Sequence, residues 1–117
     1  MSDYTYDATV IDVHDGDTVT LDVDLGFGTW IRGMRIRLFG INAPELPTPE
    51  GKAAAAFLQE LFIAGGQDVV LESIKDRADK YGGRWLGIIR LRGKSVNDLM
   101  VAIGHAKPWD GKGTKPV

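Results

Sequence analysis

From residue 18 to residue 25 apolar and polar side chains alternate without a break. Val19, Leu21, Val23 and Leu25 fall on one side, Thr20, Asp22 and Asp24 on the other. A period of two marks a strand with one buried face. Residues 6–14, rich in Thr, Val and Ile, predict a strand before it. Asp15-Gly16 between the two predicts a tight hairpin, because Gly tolerates positive φ and Asp bonds its own turn backbone. Gly26-Phe27-Gly28 turns the chain into a third strand over 29–39, where Met34, Ile36 and Leu38 alternate with Arg35 and Arg37. Three consecutive strands make a meander.

The pattern changes at Asn42-Ala43-Pro44-Glu45. This stretch and the following Pro47-Thr48-Pro49 cannot continue a strand, since each proline lacks an N–H and restricts its predecessor. Thr48 as N-cap and Pro49 in the first position predict a helix through residues 53–63, with Ala54, Phe57, Leu58 and Leu61 on one face and Gly65-Gly66 closing it. Residues 68–74 and 84–91 read as two more strands joined by a long polar loop. A second helix over 95–103 has Ser95 and Asp98 at its start, Val96, Leu99, Met100 and Ile103 on its apolar face and Gly104 as its stop. The order β-β-β-α-β-β-α predicts a mainly β fold with α elements: a five-stranded Greek-key OB barrel, a helix between its third and fourth strands and a C-terminal helix. A single domain over 1–117 is expected, with its core at about 6–109 and a frayed tail at 110–117.

Composition narrows the chemistry. A chain of 117 residues, 44% hydrophobic and 26% charged, suits one globular core and therefore one site. The lack of cysteine excludes a disulfide framework and a thiolate metal site. His14 and His105 are too few for zinc unless carboxylates join them, so any metal is expected to be hard and oxygen-bound. The first residues have no basic and apolar leader pattern, and no run of about 18 apolar residues occurs. As written, the sequence reads as cytoplasmic, with no membrane partner.

The net charge of −2 argues against purely electrostatic binding of nucleic acid, but its distribution is uneven. Residues 1–30 hold seven Asp and no Lys or Arg; residues 31–117 hold 14 Lys and Arg against nine acids. An acidic segment beside a basic remainder suits a cation and a phosphate meeting in one cleft, although solvated faces and turns account for many of these charges.

Three motifs lie where strands end in loops. His14-Asp15-Gly16-Asp17-Thr18-Val19 delivers Asp17 at the start of a strand, although such a turn by itself is more often structural than catalytic, because Asp and Gly are good turn formers. Arg35-Ile36-Arg37-Leu38-Phe39-Gly40-Ile41-Asn42-Ala43-Pro44-Glu45 is more specific. Arg37 offers a planar donor fork for phosphate oxygens, and Asn42 and Glu45 offer oxygens for calcium or a bound water; an ion-paired surface arginine and loop capping are the plainer readings. Asp79-Lys80-Tyr81-Gly82-Gly83-Arg84-Trp85-Leu86 fits either a nucleic-acid contact or a polar hairpin tip.

Taken in order, DGDTV, RLFGINAPE and DKYGGRWLG resemble the staphylococcal nuclease (thermonuclease) family over residues 6–109. The resemblance implies an OB barrel and a calcium-dependent endonuclease that hydrolyses DNA or RNA by in-line attack of water, leaving 3'-phosphate ends. It implies Asp17 as first metal ligand, the Ala43 carbonyl as a further one, Arg37 and Arg84 as phosphate-binding catalytic arginines, and Glu45 as the residue that orients or deprotonates the water. Lys80 and Tyr81 match contacts to a terminal phosphate, and Trp109 lies near the family's stacking tyrosines. A monomer acting on single-stranded DNA or RNA is expected.

Two departures stand out. The family's second metal-ligand aspartate falls on Asn42, which keeps an oxygen but loses a charge, so weaker calcium binding is expected. One glycine more than the usual KYGR run separates Tyr81 from Arg84. The alternative is therefore a catalytically weak or inactive nuclease-like module that binds nucleic acid. An OB domain serving only protein interaction would leave the matched motifs unexplained.

Overall fold

The computed structural model describes residues 4–78 and 85–109. Its elements are β1 (Thr5–Asp15), β2 (Thr18–Gly26), β3 (Thr29–Leu38), β4 (Ile41–Asn42), α1 (Pro49–Gly65), β5 (Asp68–Ala78), β6 (Trp85–Leu91), β7 (Lys94–Ser95), α2 (Val96–Ala102) and β8 (Lys107–Pro108). Sheet order is β3-β2-β1-β5-β6-β7, and a parallel pairing of β3 with β6 closes five long strands into a barrel. This is the expected OB-like fold, with α1 between the third and fourth barrel strands and α2 after the fifth. Neither helix is long and apolar enough to cross a membrane.

The alternation read from the sequence is the inside–outside pattern of the barrel. Val19, Leu21, Val23, Ile36 and Leu38 point into the core with Val10, Leu71 and Ile89. Leu25, the last apolar residue of the β2 repeat, is exposed near the hairpin end. Helix α1 buries Gly51, Ala54, Leu58 and Phe62, spaced three and four apart, which puts Phe62 on a face where the sequence reading had placed Phe57 and Leu61. Those two are only partly buried. Its N-cap is Thr48, whose hydroxyl accepts from the Gly51 N–H at 3.0 Å. Ser95 caps α2 in the same way, accepting from the Asp98 N–H at 3.1 Å.

The first hairpin differs by one residue from its prediction. Asp15 pairs with Thr18, so Gly16 and Asp17 form the turn and Asp17 sits inside it, ahead of the strand. Nor is Gly16 in the left-handed region. A Cβ at Gly16 would lie 2.7 Å from the Cβ atoms of both Ala43 and Ala54. The glycine is required because turn, loop and helix meet there without space for a methyl group.

Asn97 locks the barrel seam. Its side chain is buried, accepts from the Ile89 N–H at 3.1 Å and donates to the carbonyls of Phe39 at 2.9 Å and Gly87 at 3.1 Å. One amide thereby joins α2 to the end of β3 and to β6, with every polar atom bonded. β5 continues to Ala78, beyond the strand end expected near residue 74, and Ala78 pairs with Trp85.

Candidate functional site

Asp17 is held by its neighbours before any ligand is considered. Only 6% of it is exposed. Its Oδ1 accepts from the Thr18 hydroxyl at 3.2 Å and its Oδ2 from the Ala43 N–H at 2.9 Å, so the turn and the loop after β4 are tied through one carboxylate. The Asp17 N–H donates to Asp15 Oδ1 at 3.0 Å. Burial pushes the Asp17 carboxyl up to about 6, and the hydrogen-bonded, negatively charged Asp15 adds to the rise. The Ala43 N–H and the Arg37 charge work against it. Burial would raise Asp15 too, but its bonds with the Asp17 side chain and backbone hold it below the ordinary value.

Arg37 projects from the outer side of β3 between the buried Ile36 and Leu38, yet it is itself only 4% exposed. Its Nη2 donates to Asn42 Oδ1 at 3.0 Å and to the Ile41 carbonyl at 3.3 Å, and lies 3.5 Å from Asp17 Oδ2. All three contacts use the same nitrogen, leaving Nε and Nη1 outside this network. The guanidinium carbon stands 4.9 Å from the centre of the Trp109 ring. Trp109 is brought there by the pairing of β8 with β4 and by its own N–H, which donates to the Gly40 carbonyl at 2.8 Å. A buried cation is thus stabilised by one carboxylate, two neutral oxygens and an aromatic face.

Glu45 follows on the same loop. Its backbone carbonyl accepts from the Thr48 N–H at 3.2 Å and the Thr48 hydroxyl at 2.6 Å, which joins the loop to the cap of α1. Gly51 faces that carbonyl with no space for a Cβ. The Glu45 side chain is exposed and, with Asn42, Ala43, Ala53, His105 and Lys107, lines a cleft of about 710 Å³ between the loop, α1 and the chain before β8.

The structure therefore brings Asp17, Arg37, Asn42 and Ala43 into one buried cluster and places Glu45 at the lip of the adjoining cleft. Lys80, Tyr81 and Arg84 lie outside the described residues. Three parts of the cluster were not identified from the sequence: Thr18 and Asp15 as partners of Asp17, and Trp109 as the cover over Arg37. The first two flank Asp17 closely enough to have been considered; the third depends on a pairing of two-residue strands that leaves no periodic signal.

The oxygens of Asp17, Asn42 and Ala43 are the hard donors calcium prefers, so their chemistry fits that ion. Their number and charge are at its weak end. Among the described residues no three His, Cys, Asp or Glu side chains gather at one point.

The family model described as staphylococcal nuclease homologue matches residues 35–114, which include Arg37, Asn42, Glu45, the barrel seam and Trp109. No curated protein matches the chain. A match over more than half of the sequence, carried on a closed five-stranded OB-like barrel, shows that this chain belongs to the staphylococcal nuclease family.

Proposed function

We propose that the protein is a calcium-dependent endonuclease that hydrolyses phosphodiesters of single-stranded DNA or RNA and leaves 3'-phosphate ends. Its family supports a nuclease-like or nucleic-acid-binding module. The observation that favours cleavage is Arg37, buried under Trp109 and hydrogen-bonded through Nη2 alone. Such a guanidinium keeps its remaining donors for a phosphate and has lost its side-chain freedom before the substrate arrives.

In this reading Asp17, Asn42 Oδ1 and the Ala43 carbonyl would hold calcium. When bound, the ion would neutralise phosphoryl oxygens and favour ionisation of a nearby water. Arg37 orients the phosphodiester and stabilises charge on its oxygens. Glu45, exposed at the lip of the cleft, takes the proton of the attacking water. Arg84 is assigned to the leaving 5'-oxygen through its motif. Most of the rate enhancement is electrostatic.

A second reading, a module that binds nucleic acid without cleaving it, draws on Asn42. Its Oδ1 already accepts from Arg37 and carries no charge to attract a cation. The two are separated by incubating single-stranded DNA, duplex DNA and RNA with the protein in calcium or in chelator. Cleavage in calcium alone is expected, with Arg37→Ala slower by about two orders of magnitude, as for loss of one charge-stabilising donor. Binding with no calcium-dependent cleavage would establish the second reading.

A further inference from the structure

We propose that the outer face of the β2–β3 hairpin, from Arg37 through Arg35 to the Arg32–Trp30 stack, is a binding track for the nucleotides of a single strand next to the phosphate at Arg37. This rests on the function proposed above and adds to it a second subsite. Arg35 and Arg37 are two residues apart on β3, separated by the inward-facing Ile36, so both belong to the outer face. Opposite them on β2 stand Thr20 and Thr18. Two residues along a strand span about 6.6 Å, the scale of one phosphate step in an extended single strand. Arg35 is exposed and no carboxylate among the described residues pairs with it.

Farther along, β3 carries one residue more than β2: Leu21 faces Met34, but Val23 faces Ile31. Gly33, at φ 67°, lies within this bulge, and its N–H donates to Asp22 Oδ1 at 2.9 Å. The extra residue returns Trp30, paired with Asp24, to the side on which Arg35 and Arg37 lie. Arg32 lies 4.7 Å over the Trp30 ring, anchored at 3.0 Å by Asp22. Asp22 and Asp24 bring negative charge to this face, but Asp22 is bonded to Arg32 and Gly33, and Asp24 to the Gly26 N–H at 2.8 Å.

The hairpin ends in Phe27-Gly28, both at positive φ, with the phenylalanine ring wholly exposed. Asn or Gly at that position would cost less in both backbone strain and solvation. The Phe27 ring contributes nothing to the core. A line of cations ending in exposed aromatic rings, continuous with a buried phosphate-binding arginine, has the combination by which single strands are held: charge for the backbone and rings for the bases.

The test compares a trinucleotide with a 12-nucleotide single strand, both fluorescently labelled and built with cleavage-resistant phosphorothioate linkages, titrated with the full chain in calcium across a range of salt. Arg35→Ala, Trp30→Ala and Arg37→Ala are tested beside the parent protein. Arg35 and Trp30 are surface residues, so unchanged melting temperatures for their variants serve as the folding control. The expected result is an affinity for the 12-mer weakened at least five-fold by Arg35→Ala and by Trp30→Ala, with trinucleotide affinity unchanged. The salt slope for the 12-mer should fall by about 0.7 for Arg35→Ala and stay unchanged for Trp30→Ala. Equal effects on both lengths, or none, would overturn the track, as would a protein dimer that Trp30→Ala dissociates. Loss of both ligands with Arg37→Ala would then still support the phosphate site. Failure of the parent protein to bind either oligonucleotide would overturn both proposals.

Discussion

The shortest contact of the Arg37 guanidinium is to a neutral oxygen, Asn42 Oδ1, at 3.0 Å, while its carboxylate partner Asp17 stands 3.5 Å away. A buried arginine next to an amide keeps its geometry but gains less from charge than it would beside a second carboxylate. Asn42→Asp should strengthen this bond and supply a second negative oxygen donor beside Asp17 and Ala43. The variant is expected to bind calcium at least ten-fold more tightly, as measured by calorimetry and by the calcium dependence of cleavage. An unchanged calcium affinity would remove Asn42 from the proposed ligand set.

The raised pKa of Asp17 has a defined sign in a pH titration. A carboxyl at about 6 in the folded protein against 3.8 as its reference is most compatible with folding while protonated. Its contribution is full below about pH 4 and is lost as pH rises through 6. Asp15, shifted down, contributes in the opposite direction. Asp17→Asn should therefore gain stability relative to the parent on going from pH 4 to pH 7, by up to about 3 kcal/mol from a shift of roughly two units. Urea denaturation at the two pH values measures this. Calcium binding through Asp17 should strengthen over the same pH window, since the ion competes with the proton.

Gly16 makes a prediction about shape. A Cβ there would meet the Cβ atoms of Ala43 and Ala54 at 2.7 Å, with no flexible side chain able to move aside. Gly16→Ala should destabilise the fold by about 1–3 kcal/mol. It should also weaken calcium binding, because the turn carries Asp17 and the loop carries Ala43. Ala54→Gly in the same chain should recover part of the stability, measured by thermal unfolding, as it vacates one of the two contacts.

How much of this was legible in the sequence depends on the range of the interaction. The period of two in 18–25 and the Thr48-Pro49 helix start are local, and β2 and α1 follow from them. The hairpin turn lies one residue beyond its expected place, and Gly16 is there for its lack of a Cβ, a requirement set by Ala43 and by Ala54, 38 positions along the chain. The motif that contains Arg37 and Asn42 named both residues, yet not that they bond each other, since the turn through Phe39-Gly40 brings them together. Asn97 and Trp109 act between elements distant in sequence. Their roles appear only once β3 meets β6 and β4 meets β8.

Trp109 offers the sharpest test of how the site is held. Its ring is buried to 8% exposure and stands over Arg37, so truncation removes both packing and a partner for a buried cation. Trp109→Ala should cost about 3–5 kcal/mol. Trp109→Phe keeps a ring face and should cost less. Packing loss alone would be the same whether or not position 37 carries a charge. A double-mutant cycle between Trp109→Phe or Ala and Arg37→Met therefore isolates the interaction, with a coupling of about 0.5–2 kcal/mol expected for a partly desolvated cation–π pair. If the ring fixes the guanidinium for phosphate, Trp109→Phe should preserve nucleotide affinity better than Trp109→Ala at a temperature where both variants are folded. A coupling near zero would reduce Trp109 to a core residue and leave Asp17, Asn42 and the Ile41 carbonyl as the groups that hold Arg37.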